Sequence, residues 1–148
     1  MSAPPSSLIV ATANINTYAG ADRFDITRGT GKGDGLLFAP SAEILAPAIS
    51  ARRQAEPLLR RGNERQALAI EHAAWRTYEP LYVEEMRASC REHRDAWDRL
   101  LAREKVTLVC FCDLTRWPAD HCHRVVLARL LTKFGATYEG ELKQPTLF

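Results

Sequence analysis

At 148 residues and 16.6 kDa the chain suits one domain around one core, because two separate cores would each bury too little surface to be stable. Apolar residues make up 46% and charged residues 26%, a globular balance, and no apolar run is long enough to span a bilayer, so a membrane-embedded reading is excluded. The net charge of +2 is too small to mark a nucleic-acid protein by itself, although the pairs Arg52-Arg53 and Arg60-Arg61 leave an anionic partner open.

The first residues, Met1 to Ser7, lack the basic region and apolar segment of an export signal and read as a disordered Pro/Ser tip. A cytoplasmic location is therefore expected, and with it free rather than disulfide-bonded thiols. Leu8 to Ala13 is a short apolar run with β-branched members, expected to be a buried strand. Arg23 to Arg28 alternates polar and apolar residues as a half-buried strand would. Gly29 to Gly35 carries four of the eight glycines and is expected to be a flexible connector; it lacks the spacing of a phosphate loop. Ser41 is a candidate N-cap for the helical region that follows.

From Ala42 to about Arg103 the pattern is helical and interrupted. Pro47 and Pro57 should each limit or kink a helix, Arg60-Arg61-Gly62-Asn63 should break one, and Asn63 with Gln66 resembles a capping box. Leu68, Trp75 and Tyr78 share a helical face; aromatic residues among arginines could stack nucleobases, but this spacing favours a core. Pro80 is expected to open a further helix that carries Leu81 and Met86, with Trp97, Leu100 and Leu101 beyond.

Val106 to Cys112 is a near-continuous apolar run, as in a parallel strand covered on both faces, and Arg124 to Phe134 is an apolar helix stopped by Gly135. Ala136 to Leu142 supplies a last strand. The expected fold is α/β: a small, mostly parallel sheet flanked by helices, with a largely helical middle, in a single domain spanning 1–148.

Three of the four cysteines and two of the four histidines fall between Val106 and Arg124. Ligands of open α/β sheets gather beyond the carboxyl ends of the strands, and the helix start at Cys122-His123 would offer unpaired amides and a positive dipole end to an anion. Cys122 is the candidate nucleophile, because a helix N-terminus and nearby cations favour a thiolate, and His123 is the candidate general acid or base. Arg124 and Arg28 are candidate anion clamps, with Arg23, Asp25 and Cys112 as further ligand contacts. The bland readings are a buried Cys110, a capped helix start and an exposed strand face at Arg23–Arg28. A metal held by Cys110, Cys112, Cys122 and either His121 or His123 is the alternative, although Cys-x-Cys is not the usual zinc-knuckle spacing.

The patches Val106-Thr-Leu-Val-Cys-Phe-Cys112 and Cys122-His-Arg-Val-Val-Leu-Ala-Arg-Leu-Leu131, followed by Gly135, resemble the DUF488 family. Arg23-x-Asp25-x-Thr27-Arg28, Phe38-Ala-Pro-Ser41 and the Tyr82 to Arg87 segment are similar to its more variable upstream features. The resemblance implies a compact α/β domain in which the Cys-His-Arg region and the Asp/Arg segment line one pocket. It implies no particular reaction or cofactor. The Asp113 to His121 loop, with Trp117-Pro118, departs from the family pattern and is expected to be partly exposed. The function expected from all this is an enzyme-like domain for a phosphate-bearing ligand, a nucleotide or nucleic-acid component. The competing expectation is a non-catalytic module that is metal-stabilised or that binds nucleic acid or protein.

Overall fold

The structure, a computed structural model, describes residues 4–114, 117–118 and 120–142. Four parallel strands form one sheet in the order β2-β3-β1-β4: β1 Ile9–Asn14, β2 Arg23–Asp25, β3 Lys105–Cys110 and β4 Thr137–Glu141. The helices are α1 Ala42–Arg60, α2 Glu64–Glu92, α3 Arg94–Leu101 and α4 His123–Thr132, with a 3-10 segment at Gly33–Phe38. The α/β class, the parallel sheet and the helical middle are as expected. Among the described residues no helix is long and apolar enough to cross a membrane.

β1 and β3 occupy the centre, and both are buried on successive residues because helices and loops cover both faces. Their buried threonines are satisfied: Thr12 Oγ1 bonds Tyr138 Oη at 2.6 Å, and Thr107 Oγ1 donates to Asp22 Oδ2 at 2.7 Å. β2 ends at Asp25, short of Arg28. Asp25 Oδ1 accepts the Thr27 N–H at 2.9 Å and the Thr27 hydroxyl at 2.7 Å, a local turn that competes with further sheet pairing.

The glycine segment is not the free connector expected from composition. Its second half enters the 3-10 segment, and Gly35 lies so close to the Asp25 carbonyl that a Cβ there would come within 2.2 Å of it. Of the tip expected to be disordered, residues 1–3 lie outside the described residues, whereas Ser6 is fastened by its N–H to Phe134 O at 2.9 Å and its hydroxyl to Leu101 O at 2.6 Å.

The prolines break less than expected. α1 runs through Pro47 and Pro57, and α2 runs through Pro80 without starting a new helix. An interior proline costs about 3 kcal/mol. In α2, burial of Trp75, Tyr78, Tyr82 and Met86 on one continuous stripe opposes that loss. The stripe is also tied down by Tyr82 Oη donating to Phe38 O at 2.7 Å and Ser89 Oγ to Leu37 O at 2.6 Å. The break at Arg61–Asn63 is present, and α1 and α2 pack on each other across it.

Ser41 and Asn63 occupy N-cap positions without the expected caps. Neither side chain bonds its helix backbone: Asn63 Nδ2 donates to Gln66 Oε1 at 2.7 Å, and the Ser41 N–H donates to Glu85 Oε1 at 2.9 Å.

Candidate functional site

β3 and α4 meet at the carboxyl edge of the sheet, and the chain between them delivers the sulfur cluster. Cys110 is the last residue of β3, Cys112 follows after the strand has ended, Cys122 is the extended N-cap of α4 (φ −151°, ψ 141°), and His123 is its first residue. Cys110 and Cys122 are buried, Cys112 is half-buried, and all four cysteines of the chain are free thiols. The sulfurs of Cys110 and Cys122 are 3.0 Å apart.

Arg124 is fully buried behind these sulfurs. Its Nη1 donates to Cys110 Sγ at 3.0 Å, to the Cys112 carbonyl at 3.0 Å and, more weakly, towards Cys122 Sγ at 3.6 Å. Its Nε and Nη2 form a fork on Glu141 of β4, at 3.0 and 2.7 Å. His123 Nε2 donates to the Ile26 carbonyl at 3.0 Å, which leaves Nδ1 as the lone-pair nitrogen of the neutral ring.

These contacts sort the three thiols. Burial alone would push the Cys110 thiol up, but hydrogen bonds from Cys112 and Cys122, with the positive charge of Arg124 beyond them, outweigh it and hold Cys110 well below the ordinary cysteine range. Cys112 is pushed up to about 12, first by its hydrogen bond to Cys110 and further by burial. Burial, then the hydrogen bonds to Cys110 and Cys112, raise Cys122 as well. The downward shift in the cluster thus falls on Cys110, while Cys112 and Cys122 are both raised.

Over the cluster lies a cavity of about 650 Å³. Its floor includes Cys110, Cys112, Cys122 and His123, and its rim includes Arg28, Arg52 and Arg53. One wall is the α2 stripe, where aromatic rings form a column: Tyr82 to Tyr78 at 6.0 Å, Tyr78 to Trp75 at 5.4 Å, Trp75 to His121 at 5.1 Å and His121 to His72 at 5.3 Å. The Tyr78 hydroxyl is buried with no hydrogen-bond partner among the described residues, and burial keeps it protonated by raising its pKa well above the ordinary value. Glu71, only 4% exposed, joins two neighbours: it accepts from His121 Nδ1 at 2.5 Å and from Arg52 Nη2 at 3.0 Å, and Arg52 also donates to the His121 carbonyl at 3.1 Å.

Of the residues singled out in the sequence, Cys112, Cys122, His123 and Arg28 line this cavity, as does Cys110. Arg28 is exposed and uses Nε and Nη2 on the carbonyls of Pro40 and Ala39, at 2.9 and 3.1 Å, which fixes its position on the rim. Arg23 and Asp25 line a neighbouring cavity of about 980 Å³ together with Lys32 and Arg103; the two cavities share Gly29 and Phe111.

His121 turns away to Glu71 and Trp75, and the histidine grouped with the sulfurs is His123: the ligand-type atoms of Cys110, Cys112, Cys122 and His123 all lie within 4.8 Å of one another. The Asp113 to His121 loop is partly exposed at Asp113 and Asp120, but its Trp117 is only 5% exposed, packed with Ala55 and Ala67 under the Arg52 guanidinium 4.9 Å away. Residues 115, 116 and 119 of its loop lie outside the described residues. Glu71 and Tyr78 were not read from the sequence as site residues. The available signal was a carboxylate one turn before Trp75 on an otherwise apolar helix face, where a buried charge needs a partner.

Residues 37–135, from the 3-10 segment through α4 to Gly135, match the model of a protein family described as the active DUF488-N3 subclade. Comparison with curated proteins and with solved structures returned no match.

Proposed function

The chain belongs to the DUF488 family, through the subclade described as active, and from that premise we propose that the cavity over Cys110, Cys112 and Cys122 is the active site of a small enzyme acting on a phosphate-bearing ligand, a nucleotide or a nucleic-acid component. The observation that carries the reading is the make-up of this one cavity: a sulfur floor, an unsatisfied buried tyrosine hydroxyl in the wall, and arginines on the rim. A buried donor without a partner costs roughly 1–3 kcal/mol, and a ligand oxygen that accepts from Tyr78 would recover it. Arg28 and Arg53 are both exposed at the mouth and supply positive charge where a phosphate would enter, while the face of Trp75 suits a flat apolar ring. Arg124 has another part: from behind the cluster it donates to Cys110 Sγ and the Cys112 carbonyl while it pairs with Glu141. The free thiols suit a reducing compartment, and we infer the cytoplasm.

Thermal-shift titration with nucleoside mono-, di- and triphosphates and short oligonucleotides tests this. At least one should raise the Tm of the intact chain, and Arg53→Ala and Tyr78→Phe should each weaken that ligand about tenfold, the worth of one good hydrogen bond or ion contact. A panel without any shift, or a shift indifferent to both substitutions, would sink the reading.

A further inference from the structure

We infer that Cys110, Cys112, Cys122 and His123 together bind one zinc ion at the floor of the cavity. The inference adds a metal to the site proposed above but stands on the cluster itself and does not require a phosphate ligand. Three sulfurs and one imidazole nitrogen are a donor set that zinc favours in tetrahedral sites. Zinc–sulfur bonds of about 2.3 Å give a tetrahedron with edges of about 3.8 Å. The four donor atoms already lie within 4.8 Å of one another, and the 3.0 Å pair of Cys110 and Cys122 has to part to reach that spacing.

The way the chain delivers the donors overcomes the spacing objection raised by the sequence. Cys-x-Cys on a continuing strand would leave both sulfurs tied to the strand's alternation, but β3 stops at Cys110 and Cys112 belongs to the departing chain. The intervening Phe111 points outward, 53% exposed. At the other end, an extended N-cap followed at once by the first helical residue lets adjacent Cys122 and His123 serve one centre.

The surroundings are those a thiolate-held metal needs. The Ile26 carbonyl takes the Nε2 proton of His123 and leaves Nδ1 as the donor, which is how outer hydrogen bonds orient metal-binding histidines. Arg124 directs its Nη1 N–H at Cys110 and Cys122 and adds positive charge beside sulfurs that become anionic on binding. Each sulfur that still carries a proton loses it to solvent as its sulfur–metal bond forms, so the step involves no oxidation or reduction. His121 stands outside the group: its ring stacks on Trp75 and His72, and the histidine whose nitrogen clusters with the sulfurs is His123. Cys90 lies on α2, outside the group, and provides an internal control.

The experiment uses the full chain, purified under reducing conditions without chelator, with metal content measured by elemental mass spectrometry and the chain also loaded with Co²⁺ as a spectroscopic stand-in. The expected result is one zinc per chain, tetrahedral cobalt bands with sulfur-to-cobalt charge transfer, and three thiols that become reactive only after zinc is removed. Cys90→Ser should keep full loading, whereas Cys122→Ser and His123→Ala should weaken metal binding about tenfold or more. If Cys122→Ser fails to fold, chelator competition and the thiol count on the unsubstituted chain decide the matter. A chain that stays metal-free in added zinc with all four thiols reactive would overturn the inference, as would unchanged zinc affinity in His123→Ala. Nucleotide shifts read a different property, so either proposal can fail while the other stands.

Discussion

Arg124 and Glu141 form a two-pronged ion pair that ties α4 to the edge strand β4, with the guanidinium fully buried and the carboxylate 28% exposed. The remaining arm of the same guanidinium reaches the sulfur cluster, so one side chain links the last strand of the sheet to the floor of the cavity. Removing one partner of a buried pair leaves an uncompensated charge, at about 3–5 kcal/mol. Arg124→Ala should therefore lower the unfolding free energy in urea by about that amount, and Arg124→Lys, which lacks the planar fork, should recover only part of it. A loss below about 1 kcal/mol in Arg124→Ala would show that the pair contributes little.

Glu71 serves His121 and Arg52 at once, and both lie against the cavity. Glu71→Ala leaves both donors short of a partner and frees the His121 ring to leave Trp75. We predict a stability loss of about 1–3 kcal/mol, with weaker binding of whichever nucleotide raises the Tm of the parent chain. Isothermal titration beside urea unfolding separates the two effects; unchanged affinity at lowered stability would assign Glu71 a purely structural role.

Gly135 ends the α4 unit at φ +102°, a region L side chains rarely adopt, and a Cβ there would come within 2.7 Å of Pro5 Cβ and 2.8 Å of the Ser6 nitrogen. Gly135→Ala should cost about 1–3 kcal/mol and loosen the fastening of Ser6. Calorimetry gives the first, and faster hydrogen exchange at the Ser6 amide the second. Exchange at the parent rate would separate the two events.

Asp25 is held below its ordinary value of 3.8: burial opposes this, but hydrogen bonds from Thr30 and Thr27 outweigh it. A carboxyl whose folded pKa is depressed stabilises the fold above its unfolded value, and that contribution disappears as the pH falls through the folded value. Thr30→Ala removes the 2.6 Å bond from Thr30 Oγ1 to Asp25 Oδ2. Its Tm deficit against the parent should be largest at neutral pH and shrink below pH of about 3.8. A deficit that stays constant down to pH of about 2 would contradict this origin.

The unbroken apolar runs at Leu8–Ala13 and Val106–Cys112 announced covered parallel strands, and Gly135 announced the end of α4; these are local patterns, and the fold kept them. Pro80 misled because a proline's cost is local whereas the burial that opposes it is spread along the whole α2 stripe. The cysteine cluster was legible as a place, but its internal order was not. The lowering of Cys110 depends first on Cys112 and Cys122 meeting it across the loop, and the grouping of His123 rather than His121 with the sulfurs depends on Glu71 and Trp75 of α2 engaging His121. The burial of Trp117 within its partly exposed loop was hidden for a similar reason: its packing partners, Ala55 and Ala67, come from α1 and α2.

The cavity's floor and its wall have separate origins. β3, α4 and the chain between them supply the sulfurs and His123, while α1 and α2 supply Arg52, Arg53, Trp75 and Tyr78. In the proposed active site, substitutions along the helical hairpin would therefore change which molecule is admitted while leaving the sulfurs beneath it in place. Selectivity and reactivity would then be carried on different stretches of chain.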